Sequence, residues 1–441
     1  MKTVFITCFT GLISRNILAT DILARLLARD GLRLVIIAPE RRAKVLADEF
    51  GGERVLVADV AIAPLAGLER FWWMLATNLL CTNTRRVQRL AKLARDGNRF
   101  DYAVSRLLGW FGRSRVVRRL FRAIANTLAP TESFSYLFDR YHPDLIFSTD
   151  IYTPEDIRLM RLAHRRGIRT IGMVRSWDNV TSKTLLTVIP DHLIVNTNFI
   201  KDEAIRYADV PADGVSVVGI PHYERYRTEA RTPRDAFFRR YGFDPARPLV
   251  LFAPPSDTYL KGDPIAPVVL GALRAIDVQI LVRMPLVGAT ELGGYQPRSN
   301  VVFDEPAHSP DFIEVHLSAE ADRHLADSLA HADVVITWAS TMILDAVVFG
   351  KPVVLVGFDA TPRPYEKSIT QYYDYDHQQR ILATGGVRLT KSPAELVTAV
   401  RDYLANPHQD QAGRERILRE FCGPLDGKSG ERLADFLLSV L

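Results

Sequence analysis

The stretch Met1-Lys2-Thr3-Val4-Phe5-Ile6-Thr7-Cys8-Phe9, followed after Gly11 by a helical pattern and by Leu34-Val35-Ile36-Ile37 up to Pro39, decides the fold. Val4-Phe5-Ile6 is a short β-rich run and Gly11 supplies a turn. Ser14 or Asn16 can cap a helix through Leu27, and Gly31 ends it. A second helix over 41–50 and the run Val55-Leu56-Val57 continue the alternation. Strands alternating with helices imply a parallel sheet covered on both faces.

Outward from this opening, residues 67–142 break the rhythm and read as long helices rich in arginine, leucine and aromatic residues. The rhythm resumes with Leu145-Ile146-Phe147, Thr170-Ile171-Gly172-Met173-Val174, His192-Leu193-Ile194-Val195 and Val215-Ser216-Val217-Val218. A charged segment, 221–247, reads as a linker. A second series starts at Leu249-Val250-Leu251-Phe252 and runs through Val278-Gln279-Ile280-Leu281-Val282, Val301-Val302-Phe303, Val334-Val335-Ile336 and Val353-Val354-Leu355-Val356. The expected organisation is a first Rossmann-like domain over 1–220, a second over 248–425 and a closing helix over 426–441. Doubly wound sheets bind ligands at the carboxyl ends of their strands. Two such halves are expected to face a central cleft.

Composition agrees. A chain of 441 residues, 47% apolar and 24% charged, suits two folded domains. Cys8, Cys81 and Cys422 lie far apart and form neither a CxxC pair nor a Cys/His cluster, which argues against a disulfide framework or a structural zinc site and for a reducing compartment. The first apolar run is too short for a secretory signal, and residues 71–81 are too short to span a bilayer. A cytoplasmic location follows, with peripheral attachment at the inner face of the membrane as an extension of it.

That extension comes from charge placement. Twelve Arg and Lys lie between Arg85 and Arg122, opposed only by Asp96 and Asp101, whereas the whole chain carries only +5. A solvated helical face explains such a run. So does an anionic leaflet, because Phe71-Trp72-Trp73 and Trp110-Phe111 lie beside the charges over 71–122. No nucleic-acid motif accompanies it, so nucleic acid is not an expected partner.

Three stretches can carry chemistry. Ile336-Thr337-Trp338-Ala339-Ser340-Thr341-Met342-Ile343-Leu344-Asp345-Ala346 reads as a strand end followed by a helix from about Ser340. The hydroxyls of Ser340 and Thr341 at a helix start form an anion site, or Ser340 simply caps the helix. The following Gly350-Lys351-Pro352 favours phosphate. Second, Asp426-Gly427-Lys428-Ser429-Gly430-Glu431-Arg432 offers Lys428 to a phosphate and Ser429 as a helix cap. Third, Arg175-Ser176-Trp177-Asp178-Asn179 with Lys183 crowds polar groups at one strand end, where binding loops usually lie. Smaller signals are Asp150 as a base or a helix cap, Arg283 as a diphosphate fork or a salt-bridge partner, and Ser256 at the end of the first strand of the second half. Asp374-Tyr375-Asp376-His377 resembles a metal-binding DxD but lacks further ligands, so no metal is expected. His222 and His308 read as structural.

Gly350-Lys351-Pro352 after Ser340-Thr341 and Asp345, with the Asp426–Arg432 stretch, resembles the C-terminal half of bacterial CDP-glycerol glycerophosphotransferases and surface-polysaccharide transferases. Ser176-Trp177-Asp178-Asn179, Pro190-Asp191 and Val218-Gly219-Ile220-Pro221-His222-Tyr223 resemble the first half of related surface-carbohydrate proteins. The resemblance implies a GT-B fold, transfer without a metal or other cofactor, and a donor diphosphate near Ser340, Thr341 and Lys428. The glycerophosphotransferases usually carry His-Pro where this chain has Met284-Pro285, and Asp-Gly-Lys-Ala-Ser where it has Asp-Gly-Lys-Ser-Gly. A sugar is therefore the expected group.

The resulting expectation is a glycosyltransferase that takes a nucleotide-activated donor in the second domain, over Ser256, Arg283, Ser340, Thr341, Asp345 and Lys428. An envelope glycan or lipid-linked acceptor is placed by the first domain, with Asp178 or Asp150 as base. A CDP-glycerol-type transferase, a non-hydrolysing UDP-sugar 2-epimerase and a non-catalytic scaffold in polysaccharide assembly are the alternatives.

Overall fold

The computed structural model describes residues 1–130, 132–306, 309, 311, 313–315 and 317–441. The chain divides into two compact units: Met1–Pro221 together with Gly423–Leu441, and His222–Cys422.

The first unit holds β1 (Lys2–Thr7), β2 (Leu32–Pro39), β3 (Val55–Val60), β4 (Leu145–Ser148), β5 (Arg169–Met173), β6 (His192–Val195) and β7 (Val215–Val217). They form one sheet in the order β3-β2-β1-β4-β5-β6-β7. The second unit holds β8 (Leu249–Phe252), β9 (Gln279–Arg283), β10 (Val301–Asp304), β11 (Val334–Thr337), β12 (Val353–Val356) and β13 (Arg388–Thr390), in the order β10-β9-β8-β11-β12-β13. Every pairing in both sheets is parallel. These are two doubly wound Rossmann-like sheets, the pair of sheets found in GT-B proteins.

The apolar runs explain the layering. A parallel strand inside a sheet is buried on both faces, so it reads as continuous Val, Ile and Leu rather than alternation. Alternate residues then serve opposite faces. Val4 and Ile6 of β1 join Ile36, Leu145 and Phe147 in one core, which the final helix, Ser429–Ser439, covers with Leu433, Ala434 and Leu437. Phe5, Val35, Ile37 and Ile146 face the other way, onto Phe138 and Leu159. In the second unit Val250, Phe252, Ile280, Ile336 and Val354 pack against Leu270, Leu396 and Tyr403.

The interruption after β3 is a set of helices: Gly67–Leu79, Asn83–Asp96, Arg99–Phe111, Arg115–Leu128 and Ser135–Tyr141. Thr82, Asn98 and Ser114 cap three of them by accepting backbone N–H bonds. Part of the arginine run is internal wiring. Arg118 and Arg122 are buried and grip Asp209 at 2.5 and 2.8 Å, and Arg122 Nε donates to the Leu186 carbonyl at 2.7 Å.

Two expected boundaries differ. Residues 222–247 are not an open linker. They carry Arg234–Arg240 and bury Phe237, Phe238 and Phe243, with the ring of His331 lying 4.9 Å from Phe237. The chain also returns to the first unit at Gly423 rather than simply closing the second.

Candidate functional site

In an open α/β sheet the ligand crevice lies beyond the strand carboxyl ends, where the strand order reverses. The reversal falls between β1 and β4 in the first unit and between β8 and β11 in the second. Both places carry polar clusters.

In the first unit the cluster is built around Asp156, which is buried. Thr7 at the end of β1 and Ser148 at the end of β4 donate to its Oδ1 at 2.6 and 2.7 Å, and Thr153 donates to its Oδ2 at 2.5 Å. Burial, then the charge of Asp150, pushes Asp156 up to about 7. The Thr149 hydroxyl donates to the Thr7 carbonyl at 2.7 Å, which laces β1 to β4. Asp150, also buried, accepts from Arg175 Nε at 2.7 Å through Oδ2 and from the Tyr152 N–H at 3.3 Å through Oδ1. The charge of Asp178 also acts on Arg175. The fold thus gathers Asp150, Arg175 and Asp178 at the adjacent carboxyl ends of β4 and β5.

The loop beyond Arg175 closes as the short helix Asn179–Ser182. Ser182 donates to Asp178 Oδ2 at 3.1 Å, and the Ser176 carbonyl accepts from Asn179 N–H at 3.1 Å. Trp177 is buried, Asp178 and Ser176 are partly open, and Lys183 is exposed. Asn179 is 1% exposed, yet neither polar atom of its carboxamide has a hydrogen-bond partner among the described residues. A buried amide in that state is costly unless it serves a ligand.

In the second unit Thr337, the last residue of β11, ties the site together. Its hydroxyl donates to the Ala253 carbonyl at 3.2 Å and lies 3.0 Å from Ser340 Oγ. Ser256 follows β8 in the same corner; it is buried, and its Oγ has no partner among the described residues. The helix here is Met342–Val348, so it starts two residues later than Ser340. Ser340 N–H folds back onto the Trp338 carbonyl at 2.7 Å, and Thr341, exposed, makes no side-chain cap. Asp345 is buried within that helix.

Several expected residues have other surroundings. Gly350 takes φ +70 to end the helix, and Lys351-Pro352 leads into the amino end of β12. In a parallel sheet that end is opposite to Ser340 and Thr341, so Gly350-Lys351-Pro352 is a helix stop and strand entry. Arg283 is buried and bonded to Asp304 at 2.6 Å and to His324 Nδ1 at 3.1 Å. Because an arginine N–H only donates, Nδ1 is the accepting nitrogen and Nε2 carries the proton toward the Tyr241 hydroxyl. Burial lowers the His324 pKa, which favours the neutral ring. Lys428 is exposed and belongs to the first unit, where Arg432 bonds Asp426 at 2.9 Å and the Val218 carbonyl at 2.9 Å. Ser429 opens the last helix as its first residue, and no side-chain cap is made there. Asp374 accepts from the Tyr365 hydroxyl at 2.5 Å. The ring of His222 lies tilted against that of Tyr223, with ring centres 4.3 Å apart. His308 lies outside the described residues. A groove of about 630 Å³ lined by His164, Asp191, His192 and Phe436 lies at the amino ends of β5 and β6, away from these clusters.

One feature was not legible beforehand. Trp338, at the end of β11, meets Tyr259 at 4.9 Å and Tyr372 at 5.4 Å between ring centres, forming an aromatic wall beside Ser340. Trp338 stood in the quoted motif, but its partners come from distant segments.

A family model described as CDP-Glycerol:Poly(glycerophosphate) glycerophosphotransferase matches residues 173–439, more than half of the chain. This protein belongs to that family. It is therefore a transferase by descent, and the match takes in both the Arg175–Asn179 loop and the Ser256 and Ser340 corner, but not Thr7 or Asp150. Among solved structures, a putative UDP-N-acetylglucosamine 2-epimerase from Listeria monocytogenes is similar over 100% of this chain and 96% of its own, with TM-score 0.58 and 14% identity. The UDP-GlcNAc 2-epimerase from Neisseria meningitidis bound to UDP-GlcNAc covers 100% of both chains at TM-score 0.58 and 11% identity. The glycotransferase of kitacinnamycin covers 100% and 99% at TM-score 0.54 and 16% identity. At such identities these likenesses establish the GT-B fold. No curated protein matches the chain significantly.

Proposed function

We propose that this family member is a glycosyltransferase that moves a sugar from a nucleotide-activated donor to a hydroxyl of an envelope or capsular glycan or glycolipid. One observation carries the reading: the Asn179 carboxamide and the Ser256 hydroxyl are buried with no hydrogen-bond partner among the described residues, each at the carboxyl end of a parallel sheet, where α/β folds hold their ligands. Family membership supports a nucleotide-activated donor.

The roles follow from the surroundings. Ser256, Ser340 and Thr341 offer hydroxyl donors where a leaving diphosphate gathers charge. The Trp338–Tyr259–Tyr372 wall suits the face of a base. Asp178, partly open and held by Ser182, is the base for the acceptor hydroxyl. Asp150 is committed to Arg175 and positions it. Arg283 is committed to Asp304 and His324, and Lys428 stays exposed at the start of the last helix. The reaction is proposed to need no metal, and the three free cysteines support a reducing, cytoplasmic setting.

Two other readings have specific support. The family description favours glycerol phosphate as the group moved, although Met284 stands where those enzymes usually carry histidine. The epimerase likenesses favour a change to the sugar itself. Thermal stabilisation by a panel of nucleotides, CDP-glycerol and UDP-sugars, followed by incubation with and without acceptor in the presence of a chelator, separates them. A nucleotide sugar that stabilises the protein and is consumed only with acceptor supports the proposal. Conversion without acceptor points to an epimerase, and stabilisation by CDP-glycerol alone points to glycerol phosphate. No stabilisation by any nucleotide leaves a scaffold and ends the transferase reading.

A further inference from the structure

We propose that the helical insertion of the first unit docks this protein onto the surface of an anionic lipid bilayer. The inference does not rest on the transferase reading, and the helices involved precede the residues matched to the family.

The geometry inverts ordinary amphipathicity. In Arg115–Leu128 the inward face carries Arg118 and Arg122, neutralised by Asp209, while Val116, Leu120, Ile124 and Leu128 point outward. Val116 is 74% exposed and Leu120 60%. These four recur every fourth residue and so line one helical stripe. Arg99–Phe111 repeats the pattern with Phe100, Val104, Leu107 and Phe111 outward, beside Trp110; Phe100 is 80% exposed and Trp110 60%. Gly67–Leu79 adds Leu68, Phe71 and Met74, while Trp72 turns inward against Phe121 at 5.9 Å. Large exposed apolar surfaces of this kind mark an interaction site.

Charge selects the occupant. Residues 102–131 contain six arginines and no acidic residue. Arg106, Arg113 and Arg119 are exposed and make no ion pair among the described residues. Pairing with a second copy through this face would set like charges against one another. A leaflet with anionic headgroups instead takes the arginines at headgroup level and the apolar stripes just below. No helix among the described residues is long and apolar enough to cross a membrane, so the contact is one of surface attachment.

Sedimentation of the full chain with phosphatidylcholine vesicles, with and without phosphatidylglycerol, tests this. The expected result is salt-sensitive binding to the anionic vesicles and at least roughly tenfold weaker binding to neutral ones. The variant F100S/W110S/L120S is expected to lose binding with an unchanged melting temperature. R106E/R119E is expected to lose it as well, and keeps the test open if the apolar variant folds poorly. Absence of wild-type binding to phosphatidylglycerol vesicles overturns the proposal, as does wild-type binding by both variants. A lipid-free dimer in ultracentrifugation that F100S/W110S/L120S converts to monomer also overturns it, because the face then belongs to a second copy.

Discussion

Arg175 Nε donates to Asp150 Oδ2 across 2.7 Å, fastening the loop after β5 to the loop after β4. Both side chains are largely shielded, at 17% and 5% exposure, so the pair has little water to fall back on. Removing one partner strands a buried charge, which typically costs about 3–5 kcal/mol. Arg175→Leu is therefore expected to destabilise the first unit by about that amount. Asp150→Asn added to Arg175→Leu should recover part of the loss, since the buried carboxylate at position 150 is then gone. Denaturant titration of both variants checks this; equal losses in the single and double variants would mean that packing, not charge, sets the cost.

Asp156 makes the first unit sensitive to pH. Its carboxyl titrates at about 7 in the fold, against 3.8 when unperturbed, chiefly because it is buried. Between those values the folded state holds a proton that the unfolded chain has released. Stability from this group is thus full at low pH and is lost as pH rises through about 7, by roughly 2–3 kcal/mol from about pH 5 to 8. Asp156→Asn carries no such proton. The stability of the variant relative to wild type is expected to improve over that interval, and a parallel pair of stability–pH curves would refute the assignment.

Asn179 separates function from stability. Its carboxamide bonds to no described residue, so Asn179→Leu removes nothing that the protein uses and should leave stability within about 1 kcal/mol. If the amide serves substrate, turnover should fall on the order of tenfold to a hundredfold, as for the loss of a buried hydrogen bond at a polar site. Ser340→Ala with Thr341→Ala is expected to weaken nucleotide affinity in calorimetry while leaving acceptor binding alone. Unchanged nucleotide affinity removes those hydroxyls from the donor site.

The ease with which these features could be read from sequence follows physical range. β1, β2 and β8 were legible because a strand buried on both faces writes itself as an apolar run. The insertion was legible from its helical composition. What failed depends on contacts distant in sequence. Nothing near Arg118 or Arg122 announces Asp209, about ninety residues away, so a solvated basic face was a fair reading of residues that are in fact buried. Gly350-Lys351-Pro352 looked like phosphate chemistry because a window of sequence does not say which end of a strand it occupies. The aromatic wall joins Tyr259, Trp338 and Tyr372 from three segments. Asn179 was singled out for its loop, but its missing partners are a property of packing alone.

The last helix offers the sharpest test of how the first unit closes. Leu433, Ala434 and Leu437 are fully buried against Val4, Ile6, Ile22 and Leu26, so the carboxyl terminus completes the core begun by the first strand. Leu437→Ala should cost about 2–5 kcal/mol, as for a buried leucine that leaves a cavity. Gly219 guards the same junction. It takes φ +93, and a Cβ built there would meet Ser429 Oγ at 2.2 Å. Gly219→Ala is therefore expected to destabilise the helix seat through both the contact and the backbone. Adding Ser429→Ala relieves only the contact, so it should restore part of the loss and not all of it. Protease cleavage near residue 423 in Gly219→Ala but not in wild type would report the loosened helix directly, and complete rescue by Ser429→Ala would show that the backbone carries no strain.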